Sequence, residues 1–399
     1  MEKLNNISSF SFELAQEFFR GHNIERWNDT MRPMPFYEID KHGHKLIIAY
    51  ILALYEEKKG NTIEWELIIK DSIFELLRRI IISDIKSPIY KKIKDNSDIF
   101  QKLNKYVFDK VKDKIKNEKL KNDFNKFLST KTERNTLTYK IIDASHIYAS
   151  YWEYRIIEKF NPFKHQNEQI LWGIINKLTN YYSLEGINKL LENQSIINFI
   201  DICGQLRYQK RWAQTPRIPI TSVLGHTTLV AVFTYIMSYD LNFCKKRIYN
   251  NFFGALLHDL PETVTRDIIS PVKKSSKELD ELISKIEKEL VKQEIFPYLE
   301  EKWINEIEYF TQDEFHNKYK INNKINKVDN INEEYNKDEY SPLDGKLIRF
   351  ADHYSAYLEA YNSVNSGISS EELKEAIENI KIKYINKKIC NKDIRHLFK

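Results

Sequence analysis

Apolar residues recur at helical spacing along almost the whole chain, and this feature restricts the fold more than any other. One such stripe follows Gly225 and consists of His226, Val230, Phe233 and Met237. Residues spaced by four, three and four positions share one face of a helix. Sustained alternation of apolar and polar residues, the pattern of half-buried strands, is nearly absent, and only 10 glycines and 10 prolines interrupt the 399 residues. We therefore predict an all-α protein.

Two local patterns refine this prediction. Ser275 lies three residues before Glu278, a capping-box pattern that predicts the start of a helix with an apolar face. In contrast, the stretch over about 320–341 is polar and rich in asparagine, which predicts a loop or a poorly ordered insertion. At this length the chain should contain about two domains.

Composition and cysteine usage point to a soluble cytoplasmic protein. Cys203, Cys244 and Cys390 are widely spaced and odd in number, which favours a reducing compartment over a disulfide framework. The longest apolar run, 46–55, is too short to cross a bilayer, and the N-terminal residues lack the layout of a signal peptide. The net charge of +5 suits an anionic substrate such as a nucleotide, although a solvated lysine-rich surface explains it more simply.

Four short phrases of the first half return in the second half in the same order. The pairs are Arg26-Trp27 and Arg211-Trp212; Gly43-His44 and Gly225-His226; LLRRIIISDIKSPIYKK from Leu76 and LLHDLPETVTRDIISPVKK from Leu256; and KIIDASHIYASYWE from Lys140 and KLIRFADHYSAYLE from Lys346. The first pair is offset by 185 residues (211 − 26) and the second by 182 (226 − 44). We interpret the four ordered matches as a tandem duplication.

Two histidines and two aspartates of the second half form a set suited to one divalent cation. They are His226, His258, Asp259 and Asp352, and they lie in three segments with helical spacing. Imidazole nitrogens combined with carboxylates suit Mn, Fe, Co or Zn better than calcium. Four protein ligands leave open positions for a water, which the cation acidifies into a nucleophile, and for a phosphate oxygen. The set predicts metal-dependent hydrolysis of phosphoesters.

The phrases that carry these residues, GHTTLVA, ALLHDLPETVTRDIISPVK and IRFADHYSAYLEA, resemble the HD superfamily of metal-dependent phosphohydrolases. The likeness is greatest to the bacterial 5′-deoxynucleotidase (YfbR-like) branch and covers about residues 205–275 and 345–360. The resemblance implies that His226, His258, Asp259 and Asp352 hold one divalent metal ion, with Mn, Co, Fe and Zn as candidates.

In that branch an Arg-Trp pair upstream of the first histidine helps to bind the nucleotide. The resemblance assigns this role to Arg211 and Trp212. Physical chemistry agrees, because an arginine binds phosphate through two parallel N–H groups and a tryptophan offers a face to a base or sugar. Arg211 would also stabilise the charge that develops on the phosphoryl group. The alternative is a tryptophan in the core and an arginine at the surface.

Three further residues of the second half match the family pattern. Glu262 is expected to act as a general base or to hold the attacking water. Asp267 is expected to position the sugar or to cap the next segment, and Lys273 is a candidate phosphate contact. Pro261 should kink or end the helix between His258 and Glu262, because its ring clashes with the carbonyl four residues before it.

The first half lacks most of the metal ligands. His44 is the match for His226, but Arg78-Arg79 replaces His258-Asp259, and His146 replaces Asp352. Arginine is always protonated and has no lone pair for a cation, so the first half should not bind the metal ion. It would serve as a packing partner, or its two arginines would hold a phosphate as a regulatory nucleotide site.

We therefore predict two HD-like helical units: a degenerate one over 1–185 and an HD phosphohydrolase domain over 186–399. The expected reaction removes phosphate from a (deoxy)nucleoside monophosphate. Alternatives are a triphosphohydrolase or cyclic-nucleotide hydrolase, a non-catalytic nucleotide sensor and a nucleic-acid-associated HD protein. The expected partner is a small-molecule nucleotide and not a membrane. Nucleic acid is a less favoured partner, and a homo-oligomer remains open.

Overall fold

Helices dominate the structure, a computed structural model that describes residues 7–129, 136–161, 166–192, 194–266, 268 and 275–399. The strands are short and few, so the predicted all-α class is confirmed. The chain divides into two compact units. The first unit comprises Arg20–Lys110 and Phe124–Gly204; the second unit comprises Met1–Phe19, Val111–Asp123 and Gln205–Lys399. The sequence placed a boundary at 185, and its assignment of two domains stays a prediction.

The helices up to the end of the first unit have the following bounds: α1 Phe12–Phe19, α2 Glu38–Lys58, α3 Trp65–Ile82, α4 Ser87–Asp95, α5 Ser97–Val111, α6 Glu118–Ser129, α7 Leu137–Phe160, α8 Asn167–Thr179, α9 Glu185–Leu191 and α10 Ile196–Gln205. A two-stranded ribbon, β1 Glu25–Arg26 and β2 Phe36–Tyr37, precedes α2. Within the first unit α2 packs against α3, α7 and α9. Nearly all of α2 is buried, which makes it the central helix of this unit.

The remaining helices are α11 Val223–Ser238, α12 Lys245–Leu257, α13 Glu262–Thr265, α14 Lys277–Glu294, α15 Glu301–Thr311, α16 Gly345–Asn365 and α17 Glu371–Tyr384. Single 3-10 turns cover Arg20–Asn23, Leu206–Tyr208, Phe296–Tyr298, Glu333–Tyr335, Asp338–Tyr340 and Arg395–Leu397. Within the second unit α11 packs against α12 and α16. Every residue of α11 is buried, because the helix is apolar on all sides and has neighbours around it.

Two local expectations change in the structure. The helix expected at Ser275 begins one residue later: Ser276 is the N-cap, and its side chain accepts a hydrogen bond from the backbone N–H of Leu279. The polar stretch over 320–341 is not only a loop. Asn322 and Asn323 both have positive φ (48° and 61°), the geometry of a tight two-residue hairpin turn that asparagine tolerates.

The strands that this turn joins are β3 Asn317–Ile321 and β4 Lys324–Val328, and β3 also pairs with β5 Leu343–Asp344. A last ribbon consists of β6 Lys388–Ile389 and β7 Lys392–Asp393. The β3–β5 pairing matters for the site, because β5 leads directly into α16. Among the described residues, the structure has no helix that is long and apolar enough to cross a membrane.

Candidate metal centre and its surroundings

The four predicted metal ligands converge in the second unit. His226 lies in the first turn of α11, while His258 and Asp259 follow the last residue of α12. One ligand atom from each of these three residues lies within 4.8 Å of the others. Asp352 reaches the group from α16, with its Oδ1 3.0 Å from Nε2 of His226. Three separate helices therefore bring two imidazoles and two carboxylates to one point.

The chemistry of His258 tests whether this group fits a metal ion. Its Nδ1–H donates to the backbone carbonyl of Ala255 at 2.8 Å, which leaves a lone pair on Nε2. That nitrogen is buried and has no hydrogen-bond partner among the described residues, although Oδ1 of Asp259 lies 3.2 Å away. A histidine oriented through one nitrogen, with the other buried and unsatisfied, is the usual arrangement of a metal ligand. The donor set fits a transition-metal cation.

Asp352 is ionised in this environment. Burial alone would raise the pKa of its carboxyl group, but the hydrogen bond from His226 and the charge of Arg211 hold the pKa below its usual range. Nη1 of Arg349 lies 3.2 Å from the other carboxylate oxygen. The two carboxylate oxygens of Asp352 thus contact His226 and Arg349. An ionised carboxylate is the form that binds a cation.

A buried glutamate, Glu359, lies next to the predicted metal ligands and binds side chains from other segments. Together with Arg211 and Trp212 it forms one side of the site, which we call the supporting wall. Glu359 lies on α16 seven residues after Asp352, which places both on one helix face, and its side chain has no exposed surface. Nε1–H of Trp212 donates to Oε2 at 2.7 Å, and the hydroxyl of Thr221 donates to Oε1 at 2.7 Å. Burial would raise the pKa of Glu359, but the charges of Arg211 and Arg217 hold it well below its usual range.

Glu359 also lies close to His226, the first predicted metal ligand. Its Oε1 lies 3.6 Å from Nδ1 of His226, and the hydroxyl of Ser355 lies 3.2 Å from the same nitrogen. Glu359 is not among the site residues predicted from the sequence. A signal was available, because Glu153 and Glu359 are the last letters of the fourth repeated phrase, seven positions after His146 and Asp352.

Arg211 and Trp212 lie beside the metal ligands. Nε of Arg211 is 3.4 Å from Oε2 of Glu359. Burial would lower the pKa of the guanidinium, but the charges of Glu359, Asp352, Asp259 and Glu262 raise it above its ordinary value. Trp212 is half-buried and has a positive φ of 56°, and the backbone N–H of Thr215 donates to its carbonyl at 2.9 Å. This tight turn holds the pair against α16.

Glu262 lies next to the ligands, but not on a continuation of their helix. The helix α12 ends at Leu257, and Glu262 is the first residue of α13 with Pro261 as its N-cap, so the expected interruption at Pro261 is confirmed. The backbone N–H of Glu262 donates to the carbonyl of Asp259 at 3.0 Å. The side chain of Gln209 donates to the Glu262 carbonyl at 2.9 Å. These bonds hold the turn that carries Glu262 beside the metal ligands.

Two predicted substrate residues, Asp267 and Lys273, lie outside the described residues. His353, which the sequence places on another face of the helix from Asp352, has its Nδ1 2.6 Å from the hydroxyl of Tyr384.

The first unit contains the same supporting wall. Nε–H of Arg26 donates to Oε2 of Glu153 at 3.1 Å, and Nε1–H of Trp27 donates to the same oxygen at 2.9 Å. Glu153 is fully buried, as Glu359 is. Trp27 has a φ of 55°, and Thr30 N–H donates to its carbonyl at 3.0 Å. The geometry around Trp212 is thus repeated around Trp27.

The backbone register corrects one part of the sequence comparison. Glu25 pairs with Tyr37 and Lys210 with Ser222. The N–H of Glu38 donates to the carbonyl of Ile24, and that of Val223 to Gln209, both at 2.9 Å. The two helices begin at Glu38 and Val223. Every one of these correspondences has the offset 185 (223 − 38), so the counterpart of His226 is Lys41 (226 − 185).

The match of His44 with His226 was therefore wrong by three residues. Nε2 of His44 lies 3.0 Å from the carbonyl oxygen of Ile200, and its ring packs edge-on against Trp152. His44 is a core residue. Instead, Nζ of Lys41 lies beside the ring of His146, at 3.3 Å from Nδ1 and 3.2 Å from Nε2. This contact corresponds to the contact between His226 and Asp352.

Comparison with known families agrees with this arrangement. Residues 203–381 match the family model described as HD domain. Residues 15–180 match the family model described as 5′-deoxynucleotidase YfbR-like. The YfbR-like match thus falls on the half that lacks the predicted ligand set, although the phrases that resemble this branch were identified in the second half. Neither a curated protein nor a solved structure matches the chain.

The helical fold and the cluster of His226, His258 and Asp259, a candidate site for a divalent metal, are those expected of an HD domain. The two family matches support an HD-superfamily phosphohydrolase that resembles the YfbR-like 5′-deoxynucleotidases. The two matches support the activity class of a metal-dependent nucleotide phosphohydrolase.

Proposed function

We propose that the second unit removes phosphate from a (deoxy)nucleoside monophosphate. One combination of features carries this proposal. Ligand atoms of His226, His258 and Asp259 lie within 4.8 Å of one another, and Glu359 holds an Arg-Trp pair beside them. The cation-binding group would hold the reacting phosphate, the guanidinium would neutralise its charge, and the aromatic ring would contact the nucleoside.

His226, His258, Asp259 and Asp352 would hold the metal ion. When bound, a divalent cation of the Mn, Co, Fe or Zn type acidifies water and polarises a phosphoryl oxygen. His258 is prepared for this role by its bond to Ala255, and Asp352 by its low pKa. One ligand atom from each of His226, His258 and Asp259 already lies within 4.8 Å of the others, and Asp352 contacts His226.

Arg211 would stabilise the phosphoryl group. Its Nε is directed to Glu359, and among the described residues its terminal nitrogens have no hydrogen-bond partner. The two terminal NH₂ groups of one guanidinium can bind two phosphate oxygens. The positive charge of the guanidinium lowers the energy of the transition state most when it faces the negative charge that develops there. The buried Glu359 fixes the orientation of the fork, so less conformational freedom is lost when the substrate binds.

Glu262 would accept a proton from the attacking water, and Trp212 would contact the nucleoside. Glu262 acts electrostatically on Arg211, so the carboxylate lies near the group that would hold the phosphate. Trp212 is half-buried, which leaves part of its ring accessible to a base or sugar. Asp267 and Lys273 complete the proposal as contacts to the sugar and the phosphate.

The test begins with chelated protein, reloaded separately with Mn, Co, Fe, Zn or Mg and assayed on nucleoside mono-, di-, tri- and cyclic phosphates. Release of inorganic phosphate and nucleoside from a monophosphate is the expected result. Release of triphosphate or opening of a cyclic ester would instead support the other hydrolase alternatives. Stoichiometric nucleotide binding without any product would support the sensor alternative. Affinity for nucleic acid that falls steeply with salt would support the nucleic-acid alternative.

Asp259→Asn provides the residue-level test. Because asparagine removes the ligand charge, we expect metal content below one ion per chain and turnover reduced by about 100-fold or more. Asp329→Asn is the matched control, since Asp329 is an exposed aspartate of the same unit paired only with Lys346. Full turnover by Asp259→Asn would contradict the proposal.

A further inference from the structure

The first unit carries a cluster of basic groups where the second unit carries its metal ligands. The cluster consists of Lys41, Arg79 and His146, the counterparts of His226, Asp259 and Asp352. The three residues come from α2, α3 and α7. Nζ of Lys41 lies 3.2 Å from Nε2 of His146, and the charge of Arg79 acts on both residues, so the three basic groups lie near one another.

The charge of the site is reversed between the units. In the second unit the counterparts of this cluster are two carboxylates and one imidazole, a set that attracts a cation. In the first unit they are a lysine, an arginine and one imidazole, a set that repels a cation and attracts an anion. The neighbouring carboxylates cancel only part of this charge, because Glu38 and Glu153 share the guanidinium of Arg26, and the one negative charge that remains is smaller than the two positive charges of Lys41 and Arg79.

Lys41 has fewer hydrogen-bond acceptors among the described residues than its ammonium group has donors. It is 2% exposed, and its ammonium group has three N–H donors. Its contact within hydrogen-bonding distance among the described residues is His146, whose two ring nitrogens are almost equidistant from Nζ. A neutral imidazole has only one nitrogen that accepts. A buried ammonium with at most one acceptor is costly unless a further acceptor arrives.

The two neighbouring arginines differ in what they can offer. Arg78 is ion-paired with Glu75, and its guanidinium lies over the rings of Phe100 and Phe127, so it is a structural residue. Arg79 is 14% exposed, and its guanidinium lies over the ring of Tyr90 at 4.3 Å. Arg79 has only a 3.3 Å contact from its Nε to Glu75. Its terminal nitrogens have no hydrogen-bond partner among the described residues.

We propose that Lys41 and Arg79, with His146, bind the phosphate group of a small molecule without a metal ion. The phosphate oxygens would supply the acceptors that Lys41 lacks, and the fork of Arg79 would bind from the more exposed side. This site lies in the first unit and is independent of the function proposed for the second. It differs from the arginine pair that the sequence suggested, since Lys41 takes the place of Arg78.

Proton uptake provides a signature of this binding. Burial and the charge of Arg26 lower the pKa of Lys41 well below its ordinary value. The groups that face Lys41 are Arg26, Glu38, Arg79, His146 and Glu153. A dianionic phosphate beside the ammonium raises that pKa again. Binding should therefore be tighter at lower pH and should take up a fraction of a proton per site.

The experiment uses the full-length protein in EDTA, with inorganic phosphate and a nucleoside monophosphate as separate probes. Calorimetry in two buffers of different ionisation enthalpy gives affinity, stoichiometry and proton uptake. Lys41→Met and Arg79→Gln should each weaken one binding equivalent by at least about 10-fold, and Lys41→Met should abolish the proton uptake. Arg155→Gln is the control, since Arg155 is an exposed arginine of the same unit bonded to Tyr151 and Glu158.

Thermal melting keeps the test decisive if the affinity is weak. Lys41→Met removes a buried, poorly satisfied charge, so this variant should melt at or above wild type without phosphate and should lose the phosphate-induced rise. If the nucleoside monophosphate binds through Lys41 at least 10-fold more tightly than inorganic phosphate, the ligand is a nucleotide. Equal affinities for the two probes mean that the site recognises only the phosphoryl group. Phosphate and nucleotide binding that are unchanged in folded Lys41→Met and Arg79→Gln would overturn the proposal.

Discussion

The two units keep the same supporting wall around different centres. In each, a buried glutamate on a long helix accepts hydrogen bonds from an arginine and a tryptophan held in a tight turn. In front of Glu359 lie two imidazoles and two carboxylates; in front of Glu153 lie a lysine, an arginine and an imidazole. The wall can therefore be retained without the ligands, and an Arg-Trp match alone does not identify a metal site.

The arginines of the two walls also differ. Arg26 donates from Nη1 to Glu38 at 2.6 Å, whereas the position corresponding to Glu38 in the second unit is Val223. One terminal nitrogen of Arg26 is thus occupied by an internal carboxylate, and the terminal nitrogens of Arg211 have no such partner among the described residues. A single Glu-to-Val difference decides whether the guanidinium is a structural group or is available to a ligand.

Exchange of the centre residues should produce the largest effect. Asp352→His introduces the residue found in the first unit, and we expect loss of the metal ion and about 100-fold or more loss of kcat/KM, because one anionic ligand disappears. The reciprocal His146→Asp should not create a second metal site, since Lys41 and Arg79 remain. Metal content per chain measures both. Two ions per chain in His146→Asp would break the comparison.

Loss of charge in the wall should have the next largest effect. Glu359→Gln removes the carboxylate that orients Arg211 and faces His226, and we expect a reduction of about 10- to 100-fold in kcat/KM. Glu153→Gln is the matched change in the first unit and should leave turnover unchanged while lowering the free energy of unfolding by about 1–3 kcal/mol. Steady-state kinetics and urea unfolding separate the two. Equal effects of both changes on turnover would contradict the division of roles.

The tryptophans should show a smaller difference. Trp212→Phe loses the N–H bond to Glu359 and part of the aromatic surface, so we expect KM for a nucleoside monophosphate to rise about 5-fold, equivalent to about 1 kcal/mol. The metal content should remain at the wild-type value. Trp27→Phe, which loses the same bond in the first unit, should not change KM. A similar rise in KM for both variants would argue against a substrate contact by Trp212.

A matched backbone position should show the smallest effect. Ser83 and Arg266 are the C-cap residues of α3 and α13, with φ of 60° and 62° and with extended ψ, a conformation that is unfavourable for residues with a side chain. Ser83→Gly should therefore increase the free energy of unfolding by about 1 kcal/mol, measured by denaturant titration. Ser87→Gly, at the first residue of α4, is the control and should not stabilise. A loss of stability in Ser83→Gly would show that this turn is not strained.

Much of the fold and part of the candidate site could be predicted from the sequence. Helical spacing predicted the class, and the restriction that proline places on a helix predicted the end of α12 before Pro261. The two histidines and two aspartates were recognisable because their spacing recurs in a known pattern, and the structure brings them together. Their assignment as metal ligands, the tandem duplication and the cytoplasmic location stay predictions.

Other features depended on distant contacts. Asn322 and Asn323 look like part of a polar loop, but β3 pairs with β5 as well as with β4, and this pairing stabilises the hairpin. Glu359 looks like an ordinary helix glutamate until its packing against Trp212 and Thr221 is known. A buried carboxylate is identified by its hydrogen-bond partners, and these come from other parts of the chain.

What the sequence determined by itself is the helical class, the four pairs of repeated phrases and the types of the four residues at the candidate metal centre. These are local or ordered features of the chain. Only the tertiary structure decided that Lys41, and not His44, corresponds to His226. A three-residue shift leaves a helix nearly as amphipathic as before. The amino-acid pattern alone therefore cannot distinguish the alignment of His226 with His44 from its alignment with Lys41. The hydrogen bonds that enter α2 and α11 from the preceding strand segments define the register, and the register determines which side chain reaches the centre.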